Sequence, residues 1–167
     1  GKTLVGRTEA TLKKMLAAKK ATSPPAKRLA TIGAEHDMAF VFAGEPVEAL
    51  VKTYADMIGQ MDPDAKEAAS HAQNLKSVSI TLSVTSSPMV SVVFGMGDSE
   101  SASNLASIIN EKFVTKLKEE YEKGKGQIPK EAVEFTDELM EKFAVGAIGS
   151  DLIIRLDRVS QLDNIGK

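Results

Sequence analysis

The most regular pattern in the chain is an alternation of apolar and polar residues over positions 77–87, SVSITLSVTSS. Val78, Ile80, Leu82 and Val84 fall on one side, and serines and threonines fall on the other. A period of two is typical of a β-strand with one buried face. The Ser-Ser-Pro sequence that follows predicts a turn into residues 89–94, so the two segments should form an antiparallel hairpin.

Three more segments are predicted to be strands: TLVG at residues 3–6, MAFVFAG at 38–44 and DLIIRLD at 151–157. Helices are predicted between them, because apolar residues elsewhere recur at spacings of three and four. We therefore predict an α+β fold, with a small, mainly antiparallel sheet of four to five strands and helices packed on one face. A chain of 167 residues fits a single domain, here residues 1–167.

The longest predicted helix follows the hairpin. Its apolar positions are Ala102, Leu105, Ile108, Ile109, Phe113, Leu117 and Tyr121. Other helices are predicted over residues 46–61, in a short stretch beyond Pro63, and over residues 130–143. The proline-bearing segment 21–28, ATSPPAKR, is interpreted as a loop.

Composition limits the classes of function. Aromatic residues make up only 5% of the chain and Trp is absent, which argues against a surface that stacks on bases or sugars. Residues 1–30 carry a charge of +7 and the remainder −9, but a solvated basic helix face explains this asymmetry better than nucleic-acid binding does. We expect no nucleic-acid partner and no membrane-spanning segment in this chain.

Two features bear on cellular context. The chain has no Cys, which fits a reducing or an oxidising compartment equally well. It begins with Gly1, without Met or a signal-like apolar run, so we expect it to be a fragment of a longer protein.

The glycine pair in VVFGMGDSESASNLASII, residues 92–109, is the clearest candidate for a phosphate-binding loop. However, Glu100 occupies the position of the third glycine in a dinucleotide motif, and Asp98 adds a second carboxylate that repels phosphate. A helix N-cap accounts better for every residue of this segment, because the side chain of Asp98 or Ser99 would accept a hydrogen bond from a backbone N–H in the first helical turn. No cofactor is expected here.

Candidate catalytic and metal-binding residues are sparse. Glu35, His36 and Asp37 are adjacent in sequence and cannot face one ion from a single strand, and His71 lies on a different predicted helix. The serines occur without the motifs of known serine nucleophiles, and the carboxylates of residues 131–141 lie on a solvated helix face. We predict no catalytic residues and no metal site.

The polar side of the hairpin is the one surface that suggests binding. It carries hydroxyl residues without a single charge, whereas a fully solvated sheet face usually carries Lys or Glu. Such a surface is suited to being covered by another part of the parent protein, a homo-oligomer mate or an extended ligand; a simply exposed polar face is the alternative. The candidate binding residues are Ser79, Thr81, Ser83, Thr85 and Ser91.

The segment KTLVGRTEATLKKMLAA, followed by a proline-bearing loop and HDMAFVFAG, resembles large families of uncharacterised bacterial proteins with repeated α+β halves. This resemblance implies a longer parent chain and an extracytoplasmic location, and it implies no activity. An internal echo between residues 3–44 and 90–157 is what duplicated strand-helix-strand halves would produce, and chance similarity of short patterns is the alternative.

The sequence favours a non-catalytic interaction or structural module of a larger protein. Its expected partner is the rest of the parent chain, another protein or a homo-oligomer mate. The alternative is a small-ligand-binding or enzyme domain with a pocket between the helix layer and the sheet, using His36 or His71 with nearby carboxylates.

Overall fold

The computed structural model describes residues 23–32, 36–61 and 65–160. Its elements in chain order are α1 (Pro24–Ile32), β1 (Met38–Ala43), α2 (Glu45–Met61), α3 (Lys66–Ala72), β2 (Leu75–Leu82), β3 (Val90–Met96), α4 (Ser99–Ile108), a π-helical turn (Ile109–Val114), α5 (Thr115–Gly124), a 3₁₀ turn (Lys125–Gln127), α6 (Lys130–Lys142), β4 (Phe143–Ile148) and β5 (Asp151–Leu156).

All five of these strands form one antiparallel sheet in the order β1-β2-β3-β5-β4. The predicted α+β class and the central β2–β3 hairpin are confirmed. The predicted strand at residues 3–6 lies outside the described residues, and so does most of the first predicted half, so duplicated halves are not shown.

The hairpin alternation sets the two faces of the sheet. Register places Ser79 beside Val93 and Thr81 beside Ser91 on the polar face, while Ile80 and Val92 share the apolar face. The hydrophobic core lies on the apolar face, where Leu152 is only 1% exposed. The core cluster joins sheet residues to α4 through Leu75, Met96, Ala102, Ala106 and Leu152, and Val47 and Val51 of α2 pack against it.

Helix α1 corrects the prediction of a loop over residues 21–28, because the chain is helical from Pro24 onwards. The hydroxyl of Ser23 accepts a hydrogen bond from the N–H of Ala26, and proline is favoured in the first turn of a helix, where its missing N–H costs nothing. The Arg28 guanidinium of α1 forms an ion pair with Asp151 at 2.9 Å, on the polar side of the sheet.

Strand β4 was not predicted. Its sequence, FAVGAI, is rich in Ala and Gly, which have low strand propensity, and the prediction ended at the preceding helix. The sequence signal that could have identified this strand is the two-residue turn that follows it, in which Gly149 adopts a φ of 58°. A Gly-Ser pair between two apolar runs is a hairpin signature.

The predicted long helix is interrupted. At the π turn, the N–H of Thr115 and its hydroxyl both bond to the carbonyl of Asn110, while the Asn110 amide donates to Val145 of β4 at 3.1 Å. A π turn adds a residue to the helical repeat and rotates the positions beyond it. Leu117, which lies beyond the turn and was predicted to continue the buried face, is exposed. Phe113, within the turn, is also more than half exposed, although it still lies on the side of Leu105 and Ile109.

Gly95 packs closely against Ser77, its register partner on β2. A Cβ at this position would overlap the Ser77 hydroxyl and would lie 3.5 Å from an Asp151 carboxylate oxygen, so the hydroxyl would have to rotate away. We expect Gly95→Ala to lower the free energy of unfolding by about 1 kcal/mol, the usual cost of a displaced rotamer, as measured by urea denaturation.

Two controls make this prediction specific. In the Gly95→Ala background, Ser77→Ala should recover most of the loss, since the Ser77 Cβ is at an ordinary 3.7 Å; Gly97→Ala should cost little, because its nearest contact is at 3.5 Å. A Gly95→Ala/Ser77→Ala variant as unstable as Gly95→Ala alone would show that the hydroxyl is not the obstacle.

Candidate interaction surface

The predicted hydroxyl surface is covered within the chain at four of its five positions. Ser79, Thr81, Ser83 and Ser91 are buried, and Ser79 is only 1% exposed; Thr85 lies beyond the end of β2 and is exposed. Burial keeps the first four from touching a partner while their cover is in place. Their proposed role in binding stays a prediction.

Part of that cover comes from α1 and the residues that follow it. Helix α1 packs along β1 and β2. The His36 Nδ1 lies 2.9 Å from the Ser83 hydroxyl, and the Ser79 hydroxyl donates to the Val93 carbonyl. Small hydroxyl side chains let a helix approach the sheet closely while their own hydrogen bonds are satisfied.

The glycine loop leads into a capped helix, as predicted. Asp98 is the N-cap of α4, and its carboxylate accepts from the Ser101 N–H at 2.6 Å, from the Ser101 hydroxyl at 3.1 Å and from the Asn74 amide at 3.3 Å. The hydrogen bonds from Ser101, above all from its N–H, lower the pKa of Asp98. The first turn of α4 is thus occupied by side chains of the chain itself.

Neither histidine is among the lining residues of the two cavities described below. His36 bonds to Ser83 on the polar face, and His71 belongs to α3. Among residues 23–32, 36–61 and 65–160, no three His, Cys, Asp or Glu side chains lie together in a group that could hold a metal ion.

A second polar cluster links α5 to α6 through hydrogen bonds. The Tyr121 hydroxyl donates to Asp137 at 3.0 Å and to the Val133 carbonyl at 3.1 Å, and Lys125 donates to Asp137 at 2.8 Å. The hydrogen bond to Lys125 lowers the pKa of Asp137, and the same bond raises the pKa of Lys125. These groups satisfy one another, so their shifted pKa values have a structural cause.

An apolar cleft opens between the helices and the sheet. Two cavities of about 380 and 290 Å³ share Val51, Ala72, Leu105 and Ile109 among their lining residues. The larger one is bounded by α2, α3, α4 and the π turn, and the smaller one extends to Phe94, Leu152 and Ile154 on the sheet. The side chains of Leu50, Tyr54 and Phe113 line this cleft and are themselves more than half exposed.

A further apolar surface lies on β1. Met38, Phe40 and Phe42 share the apolar face of this strand and are 49–56% exposed. We refer to these three residues as the edge patch. The sequence predicted the strand but not its exposure, because residues 38–43 are apolar on both faces, a pattern typical of a strand that is covered on both sides.

Comparison of the chain with protein-family models, with curated proteins and with solved structures found no match. Within the parts of the chain that the structure describes, no helix has both the length and the apolar character needed to cross a bilayer.

The Asp98 cap predicts a pH-dependent contribution to stability. Because the folded-state pKa is lowered from the ordinary 3.8, the stabilisation is complete above that pH and is lost as the pH falls through the folded-state value. Asp98→Ala should therefore lower the melting temperature near neutral pH, by an amount that shrinks in acid, as measured by circular dichroism.

Asp98→Asn is the matched control, since Asn caps helices but does not titrate in this range. It should melt close to the wild type in acid. An Asp98→Ala deficit of the same size at every pH would contradict a role for the ionised carboxylate.

Proposed function

We propose that this chain is a non-catalytic interaction module that binds a protein partner through its exposed apolar side chains. The observation that carries the proposal is the edge patch, in which Met38, Phe40 and Phe42 are about half exposed on one strand. Single exposed apolar residues are ordinary, but grouped ones mark contact surfaces.

The energetics favour a covered state of this surface. A half-exposed Phe leaves about 100 Å² of apolar area in water, and covering that area is worth about 2 kcal/mol. Covering all three side chains of the edge patch would therefore contribute several kcal/mol to the free energy of binding. That amount is similar to the lower end of the net stability of a typical domain, about 5 kcal/mol.

The polar groups of the described residues support a non-catalytic role. The side chains with shifted pKa values, Asp98 at the α4 cap and the Tyr121, Lys125 and Asp137 cluster, bond to one another or to neighbouring helix groups. A longer parent protein and an extracytoplasmic location are part of the proposal and rest on the sequence resemblance.

A site-specific photo-crosslinker tests the proposal. We expect benzoylphenylalanine at position 42 to crosslink a protein of the native cell extract, and the same group at Val84, which is 71% exposed and outside the edge patch, to crosslink none above background. The crosslinked protein is then purified and titrated against the chain by calorimetry.

In that titration Phe42→Ser should weaken binding at least about tenfold, and Val84→Ser should leave it unchanged. Binding should also show a negative heat-capacity change, the mark of apolar burial. Equal crosslinking at both positions, or binding that is indifferent to Phe42→Ser, would contradict the proposal.

The apolar cleft favours a second candidate function, the binding of a small apolar ligand such as an acyl chain. Its larger cavity, of about 380 Å³, is within the usual range for ligand pockets, and the lining residues are almost entirely aliphatic or aromatic. The lining contains no charged side chain, which fits a hydrocarbon better than a polar metabolite.

A cavity-filling variant tests this candidate. Ala72→Phe places a ring where the two cavities meet, so it should abolish the fluorescence rise of a fluorescent fatty acid while leaving the melting temperature unchanged or higher. Ala132→Phe, on the exposed surface of α6, is the matched control and should bind like the wild type. Unaltered binding by Ala72→Phe would place the fatty acid elsewhere.

A further inference from the structure

We propose that β1 pairs, antiparallel and about a two-fold axis, with β1 of a second copy of this chain, joining two five-stranded sheets into one. The proposal rests on the proposed function, since it names a partner for the edge patch. The backbone of β1, the sequence of the strand and the area that it exposes all favour this pairing.

The backbone N–H and C=O groups of successive β1 residues point alternately towards β2 and away from it. The Gly44 N–H donates to Lys76, which makes this a hydrogen-bonded pair in the β1–β2 register. Hydrogen-bonded and non-hydrogen-bonded pairs alternate along an antiparallel ladder, so Phe42, Phe40 and Met38 also bond to β2. The N–H and C=O groups of Ala39, Val41 and Ala43 then point away from β2.

The β2–β3 pair supports this alternation independently. The Ser83 N–H donates to the Met89 carbonyl, so the odd-numbered residues of β2 bond towards β3 and the even-numbered ones towards β1. Among the described residues β1 pairs with no strand but β2, and it lies at the end of the sheet. Its outward groups form a template for another strand.

The outer edge of β1 lacks the sequence and structural features that normally prevent pairing with another strand. Residues 38–43, MAFVFA, contain no charged residue and no proline, and their register against β2 runs without a bulge. Natural edge strands are usually protected by Lys, Pro or a bulge, because an unprotected edge recruits other strands. A strand built this way is suited to pairing.

The strand also complements itself. A two-fold axis at Phe40 sets Phe40 opposite its own copy, Met38 opposite Phe42, and Ala39 opposite Val41 with reciprocal backbone hydrogen bonds. The outward groups of Ala39 and Val41 are those this register needs.

The area buried between the two copies limits the affinity of the dimer. Three half-exposed side chains from each copy contribute at most about 600 Å² in total, because edge pairing leaves the outward side of each side chain exposed. With the backbone, this area stays below the usual range of stable specific interfaces and is typical of weak ones. We therefore expect a reversible dimer with a dissociation constant in the micromolar to millimolar range.

Analytical ultracentrifugation of the complete chain from about 10 µM to about 1 mM tests the proposal. The wild type should shift from monomer to dimer across this range. Val41→Pro should remain monomeric, because its lost N–H points outward and proline is tolerated there without breaking the β1–β2 ladder. Phe40→Lys should weaken dimerisation at least about tenfold even if Val41→Pro folds poorly.

The absence of Cys in the chain makes single cysteines clean probes of register. Phe40→Cys should form a disulfide-linked dimer under mild oxidation, because opposed non-hydrogen-bonded residues lie within disulfide range, and Val84→Cys should not. Preferential linkage by Val41→Cys would move the axis by one residue and overturn the Phe40-centred register. A monomer at every concentration, or dimers unaffected by Val41→Pro and Phe40→Lys, would overturn the pairing altogether.

The two proposals fail separately. A monomeric chain that still crosslinks a different protein through position 42 would refute the pairing of copies and leave the interaction module intact. A dimer in which position 42 crosslinks no other protein would leave the pairing as the function of the edge patch.

Discussion

The structure depends on the alternation of side chains along β2 and β3, because this alternation gives the sheet two different faces. On one face Ser79, Thr81 and Ser91 present small hydroxyl groups, which are buried. On the other face aliphatic and aromatic side chains must be shielded from water, and α2 and α4 provide that shield. A one-residue slip of register would exchange the two sets, so the pairing is strongly specified.

The helices cover the apolar face of the sheet unevenly. The packing is closest where Leu75, Met96 and Leu152 contact α4. Four of the buried apolar residues in the described part of the chain are alanines: Ala55, Ala69, Ala102 and Ala106. Alanine allows close packing but fills little volume, and Ala55 and Ala69 line the cleft that opens beside the core.

Much of this fold follows from local sequence patterns. Period-two alternation located the central hairpin, the glycine-to-aspartate segment located the α4 cap, and helical spacing located α2, α3 and α6. The patterns failed where tertiary contacts decide the structure. The π turn depends on the bond between Asn110 and the edge of the sheet, and β4 on its partner β5, neither of which a short window of sequence reveals.

The candidate surface was predicted less well than the fold. Uncharged hydroxyl residues indicated a face suited to being covered, and four of them are buried, but the sequence could not say that α1 contributes to the cover. Exposure of Met38, Phe40 and Phe42 could not be read from MAFVFA, because an apolar strand has the same sequence whether it lies at the centre or at the edge of a sheet. Strand order, which is a property of the whole chain, decides the difference.

We propose that the edge patch is a contact surface that the described residues of the chain leave open. Relaxation of NMR signals by a soluble gadolinium chelate tests this most directly, with the buried methyl groups of Leu152 as the internal reference. In dilute solution we expect strong enhancement for the Met38 methyl and the Phe40 and Phe42 rings, declining as a bound partner covers them. Protection equal to that of Leu152 at every dilution would contradict an open edge patch.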